Sequence, residues 1–234
     1  MFRFSAVILY AMLTLSGAYP SLRHPFELEK QSDECPCEPL QRPDRFNKEE
    51  LARWMVHSMD WGVLTTISTR LPDGQPFGNV YSFVDGPCGK GMGTPYFYGT
   101  YMDQSFHDSK QNDKVSFTLT EASLPSVCHA GASKDCSISH ANAGDPESPV
   151  CARLTLSGKL VEVNPDSEEY TRAQAAFFQR HPQMATWPSE HNWIIAKLEI
   201  EDLWLINFYG GAAILSIEEY FSAKLSPDMQ LERL

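Results

Sequence analysis

The sequence predicts a mainly β fold, a barrel of short strands with a few peripheral helices. Two observations carry this. Short segments that are β-branched, or that alternate apolar with polar residues, recur along the chain between turns rich in Gly, Pro and Asp. Helical stretches are few and flank those segments, the pattern of a decorated barrel. The chain has 234 residues, 42% of them hydrophobic, which suits one domain with a packed core and a terminal tail.

At the N-terminus Arg3 gives a short basic start, Ser5 to Leu15 is almost wholly apolar, and Ser16-Gly17-Ala18 supplies small residues. This is the layout of a secretory signal peptide cleaved after Ala18, and the apolar run is too short to span a bilayer comfortably. No later stretch is long and apolar enough for a membrane span. Residues 19–46 carry Pro and charge without periodicity and read as a flexible tail; residues 47–225 form the domain and 226–234 a C-terminal tail.

Asn47 reads as a helix cap with an acid at Glu50, and Leu51, Trp54, Met55 and Met59 fall on one helical face. Val63 to Thr69 and Phe77 to Val84 read as strands joined by a Leu71-Pro72-Asp73-Gly74 turn. Asp85 to Pro95 is a loop, Tyr96 to Thr100 an extended aromatic segment, Asp103 to Gln111 a short helix, and Lys114 to Thr120 an alternating strand. Glu121 to Pro149 is irregular, and a loop this long inside a domain is stapled, functional or disordered. Val150 to Val163 is a long strand or a bent pair with Gly158 inside, Pro165 to about Arg180 a helix, Trp193 to Ile200 and Leu203 to Phe208 two strands, and Ser216 to Phe221 a last helical turn.

A formal net charge of −11 and the lack of any Lys/Arg run argue against direct nucleic-acid binding. Six cysteines, Cys35, Cys37, Cys88, Cys128, Cys136 and Cys151, favour disulfides in a secreted chain. Their pairing stays open, except that Cys35 and Cys37 are too close to bridge each other. No G-x-S-x-G, H-E-x-x-H or EF-hand pattern is present. The glycines at 86, 89, 91 and 93 lack a P-loop Lys-Ser/Thr and lead into a strand, so they mark a hairpin loop. Cys128, His129, Cys136 and His140 match no common zinc spacing, so no metal site is expected. His57 and Asp60 form a candidate acid–base pair without a nucleophile signature, and His57 reads better as a partly buried helix residue. His181 and His191 flank Trp187, which points to aromatic packing beneath a loop more than to a pocket. No Asn-x-Ser/Thr sequon occurs, so N-glycosylation is not expected.

The run His181-Pro-Gln-Met-Ala-Thr-Trp187-Pro-Ser-Glu-His191-Asn-Trp193 resembles a characteristic stretch of the CREG family of secreted cellular repressors. So do Phe208-Tyr-Gly-Gly211 with Glu218-Glu219-Tyr220, Asp60-Trp61-Gly62 with Thr66-Ile67-Ser68-Thr69, Asp85-Gly86-Pro87, and Pro95-Tyr96-Phe97-Tyr98. The resemblance covers roughly Leu51 to Phe221. It implies the split β-barrel of FMN-binding oxidases such as pyridoxamine phosphate oxidase, and a homodimer with any flavin site at the interface. It also implies a protein of the secretory and endolysosomal route, linked to growth and differentiation and not an enzyme.

The oxidases carry four cationic positions around the FMN phosphate. By the resemblance these are Asn79, Val84, Gln104 and Ser105 here, with an acid added at Asp103. Each charge-assisted bond to a phosphate contributes about 1.5–3 kcal/mol, so losing several weakens binding by powers of ten. No FMN and no catalytic residues are therefore expected, which makes the chain a pseudoenzyme acting on a protein partner, a receptor or an unidentified ligand. The rivals are an FMN-dependent oxidoreductase with an atypical phosphate site, and a nuclear transcriptional corepressor, against which the leader and the acidic charge speak. The resemblance further pairs Cys128 with Cys151, leaving Cys35, Cys37, Cys88 and Cys136 unassigned.

Overall fold

The computed structural model describes Cys37, residues 40–124, Cys136 and residues 144–225, all within the unit Asp33–Leu234. The segment expected to be a signal peptide, most of the tail expected at 19–46, and residues 226–234 lie outside the described residues.

In chain order the elements are α1 (Lys48–Ser58), β1 (Trp61–Ile67), β2 (Pro76–Val84), β3 (Tyr96–Gly99), α2 (Gln104–Ser109), β4 (Lys114–Thr120), β5 (Arg153–Glu162), α3 (Glu168–Arg180), β6 (Ile194–Ile206), β7 (Ala213–Ile214) and α4 (Ile217–Ser222). The strands pair antiparallel in the order β3-β2-β1-β4-β5-β6, and β3 also pairs with β6, closing a six-stranded barrel; β7 adds to β6. Alternation sets the inside. Leu64 on β1, Val115, Phe117 and Leu119 on β4, and Leu154 and Leu156 on β5 point inward, while their neighbours face out. Phe117 packs edge-on against Phe83 and Phe97, each ring centroid 4.9 Å away.

The two segments read separately as Trp193 to Ile200 and Leu203 to Phe208 are one strand, β6. Ser157 pairs with Asp202 and Gly158 with Ile200, so Glu201 is an extra residue that bends the strand without ending it. Up to Lys197 β6 pairs with β3 on its open side; beyond the bulge Trp204 and Leu205 pair with β7. Gly158 is required there, because a Cβ would lie 1.9 Å from the Glu199 carbonyl oxygen.

Helix α1 is buried from Leu51 to His57, not along one face. Two partners cover its other sides. Trp54 Nε1 donates to the Leu40 carbonyl at 3.0 Å, and Arg53 Nη1 donates to the carbonyls of Phe221 and Ala223 at the end of α4, each 3.3 Å away. Asn47 does not cap the helix by its side chain; its amide donates to Glu50 at 3.2 Å instead. Arg42 grips the buried Glu121 carboxylate, and Asn207 donates to the Arg45 carbonyl at 2.7 Å.

The expected Cys128–Cys151 bond is corrected. Cys151 is bonded to Cys136, and Cys37 to Cys88; Cys128 and Cys35 lie outside the described residues. Glu121, tied by Arg42, accepts from Ala152 N–H at 3.1 Å and sits beside Cys136. The Cys136 Cα lies 5.0 Å from that of Cys151, inside the span a disulfide allows.

Candidate functional site

The four positions singled out around a flavin phosphate separate in space. Two of them meet. Asn79 on β2 donates from Nδ2 to Asp103 Oδ2 at 3.1 Å and to Ser105 Oγ at 3.4 Å. Gln104 turns the other way and donates to Asp108 at 2.6 Å. Val84 is fully buried with Tyr96 and Phe177 beneath α3, because alternation along β2 places it on the face opposite Asn79.

Asp103 holds this corner together. Its Oδ1 accepts from the Ser105 N–H at 2.8 Å, capping α2, and from the Tyr81 hydroxyl; its Oδ2 accepts from Asn79. Burial, and then the bond to Asp103, push the Tyr81 hydroxyl far above its ordinary range, so it stays a donor. The Asn79, Tyr81 and Ser105 donors are thus taken by the chain's own carboxylate. Among the described residues no Lys, Arg or His lies within ion-pairing distance of Asp103. This arrangement does not fit a phosphate dianion, which would lose its donors and meet a fixed negative charge. Tyr81 was not legible as a site residue; only its two-residue spacing from Asn79 on one strand could have flagged it.

Beside this corner lies a cavity of about 300 Å³. Asn79, Tyr81 and Asp103 form one end; Tyr98, Trp187 and Trp193 form a wall. The Tyr98 and Trp193 rings stack at 5.2 Å and 17°, and Trp187 lies 4.8 Å from Trp193. Trp187, expected to pack beneath a loop more than to mark a pocket, does both: it stacks with its neighbours and lines the cavity, 39% exposed. The two histidines beside it do not line the cavity. His181 Nε2 lies 3.2 Å from the Phe83 carbonyl, and burial holds its pKa below 6.5 despite that bond. The His191 carbonyl accepts from Thr100 Oγ1 at 2.6 Å.

The candidate His57–Asp60 pair is not formed. His57 Nδ1 meets the buried Asp85 Oδ1 at 2.7 Å, while Asp60 faces Arg180 at 3.7 Å. Asp85 also accepts from Gly93 N–H at 3.1 Å, so the pair pins the β2–β3 loop onto α1 inside the protein. Of the zinc candidates, Cys136 is spent in a disulfide and Cys128, His129 and His140 lie outside the described residues. Among the described residues no cluster of metal-ligating side chains occurs, and no helix is long and apolar enough to cross a membrane.

A family model described as "CREG, beta-barrel" matches residues 43–222. The chain is 38% identical to human "Protein CREG1" over 181 residues, covering 77% of this chain and 76% of that one. It is 39% identical to human "Protein CREG2" over 173 residues, covering 74% of this chain and 55% of that one. Among solved structures, a "heme binding protein from Mycobacterium smegmatis" superposes with a TM-score of 0.58 at 20% identity, covering 80% of this chain and 63% of that chain. Campylobacter jejuni ChuZ follows with a TM-score of 0.53 at 15% identity, over 76% of this chain and 63% of that chain. At such identities the likeness speaks to the barrel fold alone. The match along most of the domain, together with the closed six-stranded barrel, establishes that the chain belongs to the CREG family.

Proposed function

We propose that this protein is a non-catalytic, disulfide-stapled CREG barrel of the secretory or endolysosomal route. It acts as a homodimer by binding a protein partner or a small ligand, and its flavin site is lost. The observation that carries the reading is Asp103, whose carboxylate takes the Ser105, Tyr81 and Asn79 donors where a flavin phosphate would need them. The disulfides Cys37–Cys88 and Cys136–Cys151 support an oxidising compartment. Dimerisation is supported by an uncharged row on the outer sheet face. Val80, Val63, Thr118, Thr155, Trp204 and Ile214 are register partners on successive strands, with Val80 62% and Ile214 67% exposed.

The test is direct. Titrating purified protein with FMN leaves the flavin spectrum unchanged, and the protein as isolated carries no flavin absorbance; colour that survives dialysis overturns the reading. Light scattering at micromolar concentration gives twice the chain mass, and Val80→Lys, which buries a charge in the expected interface, shifts it to one chain. A single-chain mass for the unsubstituted protein removes the dimer.

A further inference from the structure

The cavity beside Asp103 is lined largely by aromatic side chains. Tyr98, Trp187 and Trp193 line it beside Val80 and Met184, and Asp103 is the one charged residue of its lining. No Lys or Arg lines it. The three donors on Asp103 are all neutral groups, so its negative charge is hydrogen-bonded but not cancelled. A carboxylate offers about four acceptor positions, and Oδ2, with Asn79 as its one partner, keeps one open. Aromatic faces carry negative potential and attract cations. The net charge of −11 adds a long-range pull of the same sign. A cavity of about 300 Å³ sits at the small end of ligand pockets, enough for a bicyclic ring with a short arm.

We propose that this cavity binds a small aromatic cation, its ring against Trp187 and Trp193 and its protonated nitrogen on Asp103. The inference rests on the reading that the flavin site is lost, because the carboxylate that excludes a phosphate is the group that selects a cation.

The experiment is calorimetric titration of the purified full chain with four probes: 1-naphthylmethylammonium, 1-naphthalenemethanol, 1-naphthaleneacetate and FMN. The ammonium binds saturably and about tenfold or more tighter than the acetate. Asp103→Asn reduces the ammonium to the level of the alcohol; Asn caps helices about as well as Asp, so α2 is retained. Trp187→Ala weakens ammonium and alcohol alike. Acetate binding as tight as the ammonium, no saturable ammonium binding, or ammonium binding indifferent to Asp103→Asn each overturns the proposal. Should Asp103→Asn not fold, the ammonium-to-acetate ratio in the unsubstituted chain decides it. FMN binding overturns the lost-flavin reading instead; failure of the ammonium with FMN also silent overturns only the cation site.

Discussion

Asp103 and Asp108 bracket the short helix α2 and are wired for different ends. Asp103 faces the cavity. Asp108 is buried and accepts from Thr66 Oγ1 at 2.9 Å, from the Thr69 N–H and hydroxyl at 2.7 Å each, and from Gln104. Burial pushes the Asp108 carboxyl up, but the Thr69, Gln104 and Thr66 bonds together outweigh it and hold the group below its ordinary 3.8. A carboxyl whose folded pKa is depressed stabilises fully above its unfolded value and loses that contribution as pH falls through the folded one. Urea unfolding should therefore weaken below about pH 4, and Asp108→Asn should cost about 1–3 kcal/mol near neutral pH while flattening that acid limb. Equal acid limbs in both proteins would show that Asp108 does not contribute. By the resemblance the sequence marks Asp103 as an acid added beside the lost cationic positions, yet it does not reveal that Tyr81 and Asn79 turn toward it. Those partners come from β2 and the carboxylate from the start of α2, and only the closed barrel brings them together.

Among the elements, strands with clean alternation are legible to within a residue or two; Lys114 to Thr120 is read and found with identical ends. β6 defeats the same reading because one surplus residue, Glu201, shifts the phase and mimics a strand break. β7 pairs through two residues, too few for any pattern. Helix α1 is read as amphipathic and found enclosed, since Leu40 and α4, which cover it, lie far from it in periodicity if not in space. The bulge makes a sharp prediction. Gly158→Ala must drive a methyl into the Glu199 backbone and should cost about 3 kcal/mol in thermal or urea unfolding, with the β5–β6 amides losing exchange protection first. A melting temperature matching the parent would mean the bulge can relax.

At the scale of the whole molecule, the barrel class, the acidic surface and the presence of disulfides follow from composition and pattern, whereas the bonding partners of the cysteines do not. Connectivity depends on which cysteines the fold brings within bonding distance, which no spacing encodes. Non-reducing peptide mapping should yield linked Cys136–Cys151 and Cys37–Cys88 peptides, and Cys37→Ser should cost up to about 4 kcal/mol for the 51-residue separation it no longer closes. The closure of the barrel has a mechanical corollary. Between the β2 side and β6 the sheet pairing runs through the short strand Tyr96–Gly99, and just two of its residues pair with β2. This is a zip with few teeth, and the Cys88 end of the loop feeding it is riveted to Cys37. Pulling that rivet with a reductant should let the cylinder gape along one line, leaving the β4–β5 wall intact while the amides of Tyr96 to Gly99 begin to trade their protons with water.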